Sequence, residues 1–257
     1  MILKLDKEKI ASCFRRAHAS YDHHGVVQKK VSDELITILS AYPQISYKRV
    51  LEVGCCTGVM TEALCKRFSI GSLFINDLVP EFQQTVIDRL PQNVRQNIKP
   101  FFGDIEELNL PENLDLVISS ATFQWLENFA DFFKKVADSL NEKGYLVFSI
   151  FGPGTLAEFR QLTGIGLHYY ELDDLVNKLE DHFEVKVVKS RRERVYLPTP
   201  HLVLKHFQAT GIGGVSEYRW TSGRLKTFEK EYQEQFGTDD GVPVSYVSSL
   251  VVAEKKK

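Results

Sequence analysis

The stretch VLEVGCCTG at 50–58 brings together residue types that bind a ligand through the backbone. Gly54 and Gly58 let the chain turn tightly and approach a ligand closely, while Glu52 is placed to meet a cationic group. A dinucleotide site asks for G-x-G-x-x-G with a pyrophosphate on the following helix N-terminus, and that spacing is absent. Taken alone, the loop is equally a plain strand-to-helix turn. Other chemistry-bearing residues stand at the ends of later apolar runs: Asp77 after SLFIN, Gly103-Asp104-Ile105 after NIKPFF, and the segment SSATFQWL at 119–126. Asp77 also suits a helix start before Pro80, and Asp104 a loop carboxylate. Phe123 and Trp125 offer π surface to a cation or side chains to a core.

The elements that must position these residues follow from periodicity. Val27, Val31, Leu35, Ile38 and Leu39 recur at helical spacing, which predicts an amphipathic helix over about 25–41, stopped by Pro43. From Lys48 onward short apolar runs alternate with helical segments, the pattern of β-α units around a buried parallel sheet. The runs are RVLEV, SLFIND, NIKPFF, LDLVIS and YLVFSI, with helices expected near 58–68, 80–90 and 128–140, the last capped at Lys143-Gly144. Helices near 154–163 and 171–181 lead to a strand FEVKVVKSRRERVYL, and VSYVSSLVVAEK closes the chain. The stretch from Pro198 to about Phe236 then reads as a helical insertion before the last strand, a lid or cap. In an open parallel sheet a ligand sits beyond the carboxyl ends of the strands, where the strand order reverses, so the loop after the first strand is its expected place.

Composition narrows the classes. At 257 residues the chain is expected to be a single domain, with 1–46 an N-terminal helical lid, 47–197 the core, 198–240 the insertion and 241–257 the last strand and tail. A net charge of -2 excludes a strongly basic nucleic-acid binder, although KSRRERV at 189–195 is a local basic cluster. No apolar run is of membrane-spanning length, and the mixed charges of MILKLDKEKI argue against a signal peptide, so a cytoplasmic location is expected. Cys13, Cys55, Cys56 and Cys65 have neither metal-ligand nor disulfide-framework spacing, so reduced thiols and no metal are expected.

An acidic residue two positions before a glycine, with further glycines at alternate positions, resembles the class I S-adenosylmethionine-dependent methyltransferases. The resemblance implies a Rossmann-like α/β fold: a seven-stranded, mostly parallel sheet with helices on both faces. It also implies S-adenosylmethionine as cofactor and S-adenosylhomocysteine as product. Cys56 departs from the pattern, standing where the middle glycine is usual, and its side chain is expected to turn away from the methionine portion. Asp77 is then placed for the ribose hydroxyls and Asp104 for the adenine amino group, with the Ile105 N–H for a ring nitrogen. Gln28, Glu52, Gly54, Cys55, Cys56, Gly58, Leu78 and Ser119 complete the implied cofactor set.

A narrower resemblance rests on FRRAHASYDHHGVVQ (14–28), SSATFQWL (119–126), FSIFGPGTLAEFR (148–160), LKHFQATGIGG (204–214) and VPVSYVSSLVVAEK (242–255). Together these are similar to the malonyl-acyl-carrier-protein O-methyltransferases of biotin synthesis. The family reaction methylates the free carboxylate of a malonyl thioester. A carboxylate is already ionised at neutral pH, so positioning and desolvation, not a general base, must carry the rate. Burying it needs a donor or a cation. Tyr21 and Arg160 are the candidates, with Phe123, Trp125 and Tyr246 beside the substrate. The implied partner is acidic malonyl-acyl-carrier protein, docking on Lys189, Arg191, Arg192 and Arg194, with Arg219, Arg224 and Lys226 from the insertion. A monomer is the default expectation. Two other readings stand beside this one: a methyltransferase of the same fold for a small carboxylic acid or quinone precursor, and a non-catalytic cofactor-binding regulator.

Overall fold

The computed structural model describes residues 5–42, 44–212 and 220–257. Pro43, Gly213, Gly214 and Arg219, invoked above, lie outside the described residues. Helix α1 (Lys7–Ala17) starts at Asp6, whose carboxylate accepts the Lys9 N–H at 2.9 Å, the usual N-cap arrangement. A single turn, α2 (Tyr21–His24), leads into α3 (Val26–Leu39), whose Val27, Val31, Leu35 and Leu39 are buried.

The alternation then runs β1 (Ser46–Val53), α4 (Val59–Arg67), β2 (Ser69–Asn76), α5 (Phe82–Arg89), α6 (Gln92–Arg95), β3 (Ile98–Pro100) and β4 (Leu114–Ser120). A 3-10 turn at Phe123–Trp125 precedes α7 (Phe129–Ser139) and β5 (Leu140–Phe151). Helices α8 (Ala157–Thr163) and α9 (Leu172–Leu179) lead to β6 (Phe183–Leu197), then α10 (Pro200–Ala209), α11 (Ser222–Phe236) and β7 (Val242–Lys255). The seven strands form one sheet in the order β3-β2-β1-β4-β5-β7-β6. β7 runs antiparallel to β5 and β6, and the other pairs are parallel. The chain is a mostly parallel Rossmann-like fold, as the alternation implied.

One boundary moves. The helix expected to cap at Lys143-Gly144 ends at Ser139, because Leu140 turns extended and pairs with Leu114. The Asn141 amide holds this start of β5 to the Asn113 carbonyl and to Asp115, at 3.0 and 2.9 Å. The register then shifts before Leu116 meets Tyr145.

Each sheet face carries its own apolar layer. Val50, Leu116, Val147 and Val252 pack beneath α3 and α4, while Leu51, Val117, Phe148 and Val251 pack beneath α7 and α9. A third cluster lies at one end of the sheet, where Ile10, Val27, Trp125 and Val203 meet Tyr246 of β7 and join the N-terminal helices to the insertion. That cluster roofs the carboxyl ends of β1, β4 and β5.

Candidate functional site

Strand order reverses between β1 and β4, and the loop after β1 occupies that crevice. Its shape is set by the backbone. The N–H groups of Gly54 and Cys55 both donate to the Asn76 carbonyl at 2.8 Å, and the Cys56 N–H donates to Asp77 Oδ2 at 2.9 Å. Gly54 has φ +75°, and a Cβ there would lie 2.0 Å from Thr122 Oγ1, so only glycine fits. Cys56 takes φ +48°, a left-handed conformation that costs a non-glycine residue about 1–2 kcal/mol. This is the physical reason a glycine would suit position 56.

A first chamber opens over Asp77, Leu78, Gly103, Asp104, Ile105 and Leu126. Asp77 is enclosed, and burial raises its carboxyl to about 6 against the opposing hydrogen bonds from the Val79 and Cys56 N–H groups. Asp104 is paired with Lys7 at 3.3 Å, and Lys7 also reaches Glu106 at 2.7 Å. Lys7, on α1, thus lies across the outer end of this chamber. Sequence reasoning gave Lys7 no role, since an N-terminal lysine carries no signal of where its helix will dock.

A second chamber lies on the other side of the loop, walled by Gln28, Ser32, Gly54, Cys55, Cys56 and Ser120. Gln28 Oε1 is buried there without a hydrogen-bond partner. Behind the loop, Glu52 is fully buried and neither of its oxygens has a partner of normal geometry. Burial pushes its carboxyl up to about 8, opposed by the Thr61 hydroxyl beside it and reinforced by Asp77. Buried polar atoms are normally paired, so these acceptors mark a place that a donor would satisfy.

A third chamber is walled by Tyr21, Gln28, Trp125, Phe151, Tyr169 and Tyr246. Tyr21 lines all three chambers, as the hinge of the site. The N-terminal helices are latched over it. Asp22 accepts from the Thr57 hydroxyl at 2.5 Å and pairs with Arg89, Arg15 pairs with Glu81 at 2.5 Å, and His18 meets Thr85 at 2.7 Å.

Several expected residues stand elsewhere. Cys56 does not turn from the cavity: it lines the first two chambers, beside the Tyr21 hydroxyl and among Ala11, Val79 and Phe82. Ser119 is buried with its hydroxyl on the Val53 carbonyl at 2.8 Å, and it is Ser120, one residue on, that reaches the chambers. The period of a strand turns alternate side chains to opposite faces, so Ser120 and not Ser119 faces the cavity. Phe123 is wholly buried against Phe148 and Phe132, at 4.9 and 5.1 Å, and serves the core. Gly58 stands at the start of α4 with Val86 against it, behind the chamber walls. Arg160 is exposed, and its guanidinium donates to the Leu167 carbonyl at 3.4 Å, outside the lining of all three chambers. The basic run also divides. Alternation along the edge strand β6 puts Arg192 and Arg194 with Tyr196 on the α8 face, while Arg191 pairs with Glu34 on the α3 face. Lys189 shares the face of Arg191.

A methyltransferase-domain family model matches residues 51–148. Malonyl-[acyl-carrier protein] O-methyltransferase of Acinetobacter baylyi is 34% identical, covering 99% of this chain and 99% of that protein. The chain belongs to this family. The corresponding protein of Prosthecochloris aestuarii is also 34% identical, over 95% of this chain and 91% of its own. Among solved structures, the YcgJ protein from Bacillus subtilis aligns with a TM-score of 0.62 at 13% identity, covering 88% of this chain and 99% of that one. An S-adenosylmethionine-dependent methyltransferase from Mesorhizobium loti aligns at 0.53 and 17% identity, over 85% and 95%. These two likenesses concern the fold. No described helix of this family member is long and apolar enough to cross a membrane, and no described cluster of His, Cys, Asp and Glu would hold a metal ion.

Proposed function

We propose that this chain methylates the free carboxylate of malonyl-acyl-carrier protein, using S-adenosylmethionine and yielding the methyl ester that biotin synthesis requires. The observation that carries the reading is the run of three chambers meeting at Tyr21, which would suit a nucleotide at the acidic end, a methionine portion at the end with unsatisfied acceptors, and an acyl group at the aromatic end.

The residues present fit the cofactor. Asp77 would take the ribose hydroxyls, while Asp104 and the Ile105 N–H would take the adenine edge. Gln28 Oε1 in the second chamber, with Glu52 behind it, would compensate the ammonium of the methionine portion, for which the unpartnered oxygens are the signature. A cofactor held by these residues would supply a methyl carbon to a carboxylate oxygen, with the electron pair of the broken carbon–sulfur bond left on sulfur. No proton moves, so none of the chain's residues is asked to act as a base. Tyr21 closes the junction, and Trp125, lining the first and third chambers, excludes water between donor and acceptor. Arg160 keeps a supporting place behind Leu167 and Tyr169: burial raises the Tyr169 phenol, and the Arg160 charge partly opposes that rise without touching the chamber.

The acyl carrier protein would dock on Arg192 and Arg194, exposed at the site end of the edge strand. The deciding experiment is methyl transfer to malonyl-acyl-carrier protein, malonyl coenzyme A and free malonate, followed by mass spectrometry. A mass gain of one methyl group on the carrier protein supports the reading. Cofactor binding with transfer to none of the three would reject it.

A further inference from the structure

The third chamber poses a problem of charge. If it receives a carboxylate, something must offset the cost of burial, yet among the described residues its lining holds no Lys, Arg, His, Asp or Glu. Its donors are therefore neutral, and most are already committed. Gln124 gives its amide N–H to the Ala121 carbonyl at 2.5 Å, Thr155 gives its hydroxyl to the Val247 carbonyl at 3.1 Å, and Thr210 gives its hydroxyl to the His206 carbonyl at 2.8 Å. The phenols remain. Tyr169 and Tyr246 are buried, and burial raises both hydroxyls above their ordinary range, so they stay protonated at neutral pH. The Tyr169 hydroxyl feels the Arg160 charge but has no hydrogen-bond partner among the described residues, and Tyr21 stands beside the Cys56 thiol.

Tyr246 is different, because its oxygen lies 2.7 Å from Nε2 of His206, itself buried on α10. The direction of that bond decides what Tyr246 can do. If the phenol donates to the ring, its only proton is spent. If the ring nitrogen carries the hydrogen and donates to the phenol oxygen, the phenol proton is free for the chamber.

We propose that His206 holds its proton on Nε2 and donates it to Tyr246, so that Tyr246 and Tyr169 present their hydroxyl protons to the malonyl carboxylate as a pair of neutral donors. His206 is thus a positioning residue that acts through Tyr246. Burial and the neighbouring His24 lower the imidazole to about 4, so it is neutral at working pH and has one ring proton to place. Neutral donors also suit the reaction. A bidentate guanidinium would occupy both carboxylate oxygens and be left as an unpaired buried cation once the ester forms. Phenols hold the anion, leave its charge to attract the sulfonium, and release a neutral ester at little cost.

The inference rests on the malonyl-carboxylate reading, and its test separates the two. KM and kcat for malonyl-acyl-carrier protein and the Kd for S-adenosylhomocysteine would be measured for the wild type and for Tyr246→Phe, Tyr169→Phe, His206→Leu and His206→Gln. Glutamine places an N–H donor near the position of Nε2, and leucine does not. Losing a hydrogen bond to a charged group predicts KM raised about 10- to 100-fold in Tyr246→Phe, Tyr169→Phe and His206→Leu, with S-adenosylhomocysteine affinity within about twofold of wild type. His206→Gln is expected to recover most of the loss, and His206→Leu added to Tyr246→Phe to cost little more. If His206→Leu does not fold, the tyrosine variants and His206→Gln still decide, with homocysteine-cofactor binding as the check of folding. An unchanged KM in Tyr246→Phe or Tyr169→Phe, or His206→Gln failing while it still binds that product, overturns the inference alone. A wild type that neither binds nor methylates the malonyl carrier overturns both.

Discussion

The N–H of Cys56 donates to Oδ2 of Asp77 at 2.9 Å, and this one bond ties the turn after β1 to the end of β2. The other oxygen of Asp77 accepts the Val79 N–H at 2.9 Å, so the carboxylate is fixed at both oxygens by backbone. A carboxylate has about four lone-pair positions, so capacity remains for a diol in the first chamber. Asp77→Ala should therefore weaken S-adenosylhomocysteine binding about 10- to 100-fold and also lower Tm, because the Cys56 N–H loses its partner. Calorimetric titration and a melting curve read the two effects separately. Full affinity in the alanine variant would remove Asp77 from the cofactor site.

Cys56 tests the loop from the other side. At φ +48° it pays a left-handed cost that glycine would not, and its thiol fills space beside Tyr21 and Val79. Cys56→Gly relieves the backbone but adds freedom to the unfolded chain worth about 0.5–1 kcal/mol, so stability should move by less than about 1 kcal/mol. Cys56→Val combines a β-branched side chain with a left-handed φ and extra bulk at the junction of two chambers. Product affinity should fall at least about tenfold while Cys56→Gly retains it, from the steric cost of overpacking. Equal affinity in both variants would show that the thiol does not face bound cofactor.

Glu52 predicts a proton event. Burial holds its carboxyl at about 8, so at pH 7 about nine-tenths of the molecules carry it protonated. An ammonium bound nearby favours the ionised form, and binding should release close to one proton. Calorimetry in buffers of different ionisation enthalpy measures that release, and Glu52→Gln should abolish it. The same shift has a stability sign. The folded state holds the proton more tightly than the unfolded chain, so the stabilisation present below about pH 4.5 is lost as pH rises through about 8. Asp77, raised to about 6, has the same sign in a lower window, so the slope between pH 6.5 and 8.5 belongs mainly to Glu52. A wild-type slope there that matches Glu52→Gln would contradict the raised value.

The β-α alternation, the glycine loop and the acids at strand ends were legible because each is a local signal. A period, a turn residue or a strand end can be read within a few positions. The third chamber was not legible in that way. Tyr169 follows α8, Tyr246 lies on β7 and His206 on the insertion, and only the antiparallel return of β7 between β5 and β6 brings them together. Ser119 for Ser120 is a different failure, since the residues were found and only the face was missed. Arg160 failed for a third reason: helix α8 is short, and its exposed side turns the guanidinium to the Leu167 carbonyl, outside the cavity. Charge type told that an anion needed a partner, and topology supplied phenols.

The divided basic run gives a prediction about docking. Arg192 and Arg194 share a face at the site end of β6, whereas Arg191 is engaged with Glu34 on the other face. An acidic carrier protein should therefore feel the first pair more than the second. Arg192→Glu with Arg194→Glu should raise KM for the carrier substrate about tenfold and flatten its dependence on salt, while Lys189→Glu changes it less than about twofold. Steady-state rates from 25 to 500 mM salt supply both comparisons. A salt-independent wild type, or equal effects from the two faces, would move the docking surface elsewhere.

Asp22 decides whether the N-terminal helices act as a latch. It accepts from Thr57 in the glycine loop and pairs with Arg89 on α5, so it fastens α2 to two parts of the cofactor cradle. The Arg89 pair is partly exposed and by itself contributes little, about 0–1 kcal/mol, while the Thr57 bond is better enclosed, its hydroxyl belonging to a buried residue. Asp22→Ala should then leave global stability within about 1–2 kcal/mol of wild type, since the apolar layers on both sheet faces are untouched. Its main effect should fall on kinetics: local opening of α1 and α2 needs less free energy than global unfolding, so a loosened latch speeds release of S-adenosylhomocysteine and exposes the N-terminal segment to protease. Stopped-flow release rates and limited proteolysis, with and without the product, read this directly. An Asp22→Ala protein that releases product at the wild-type rate would show that α2 is held by packing of Val27 and Ile10 in the third apolar cluster and that the polar contact is incidental.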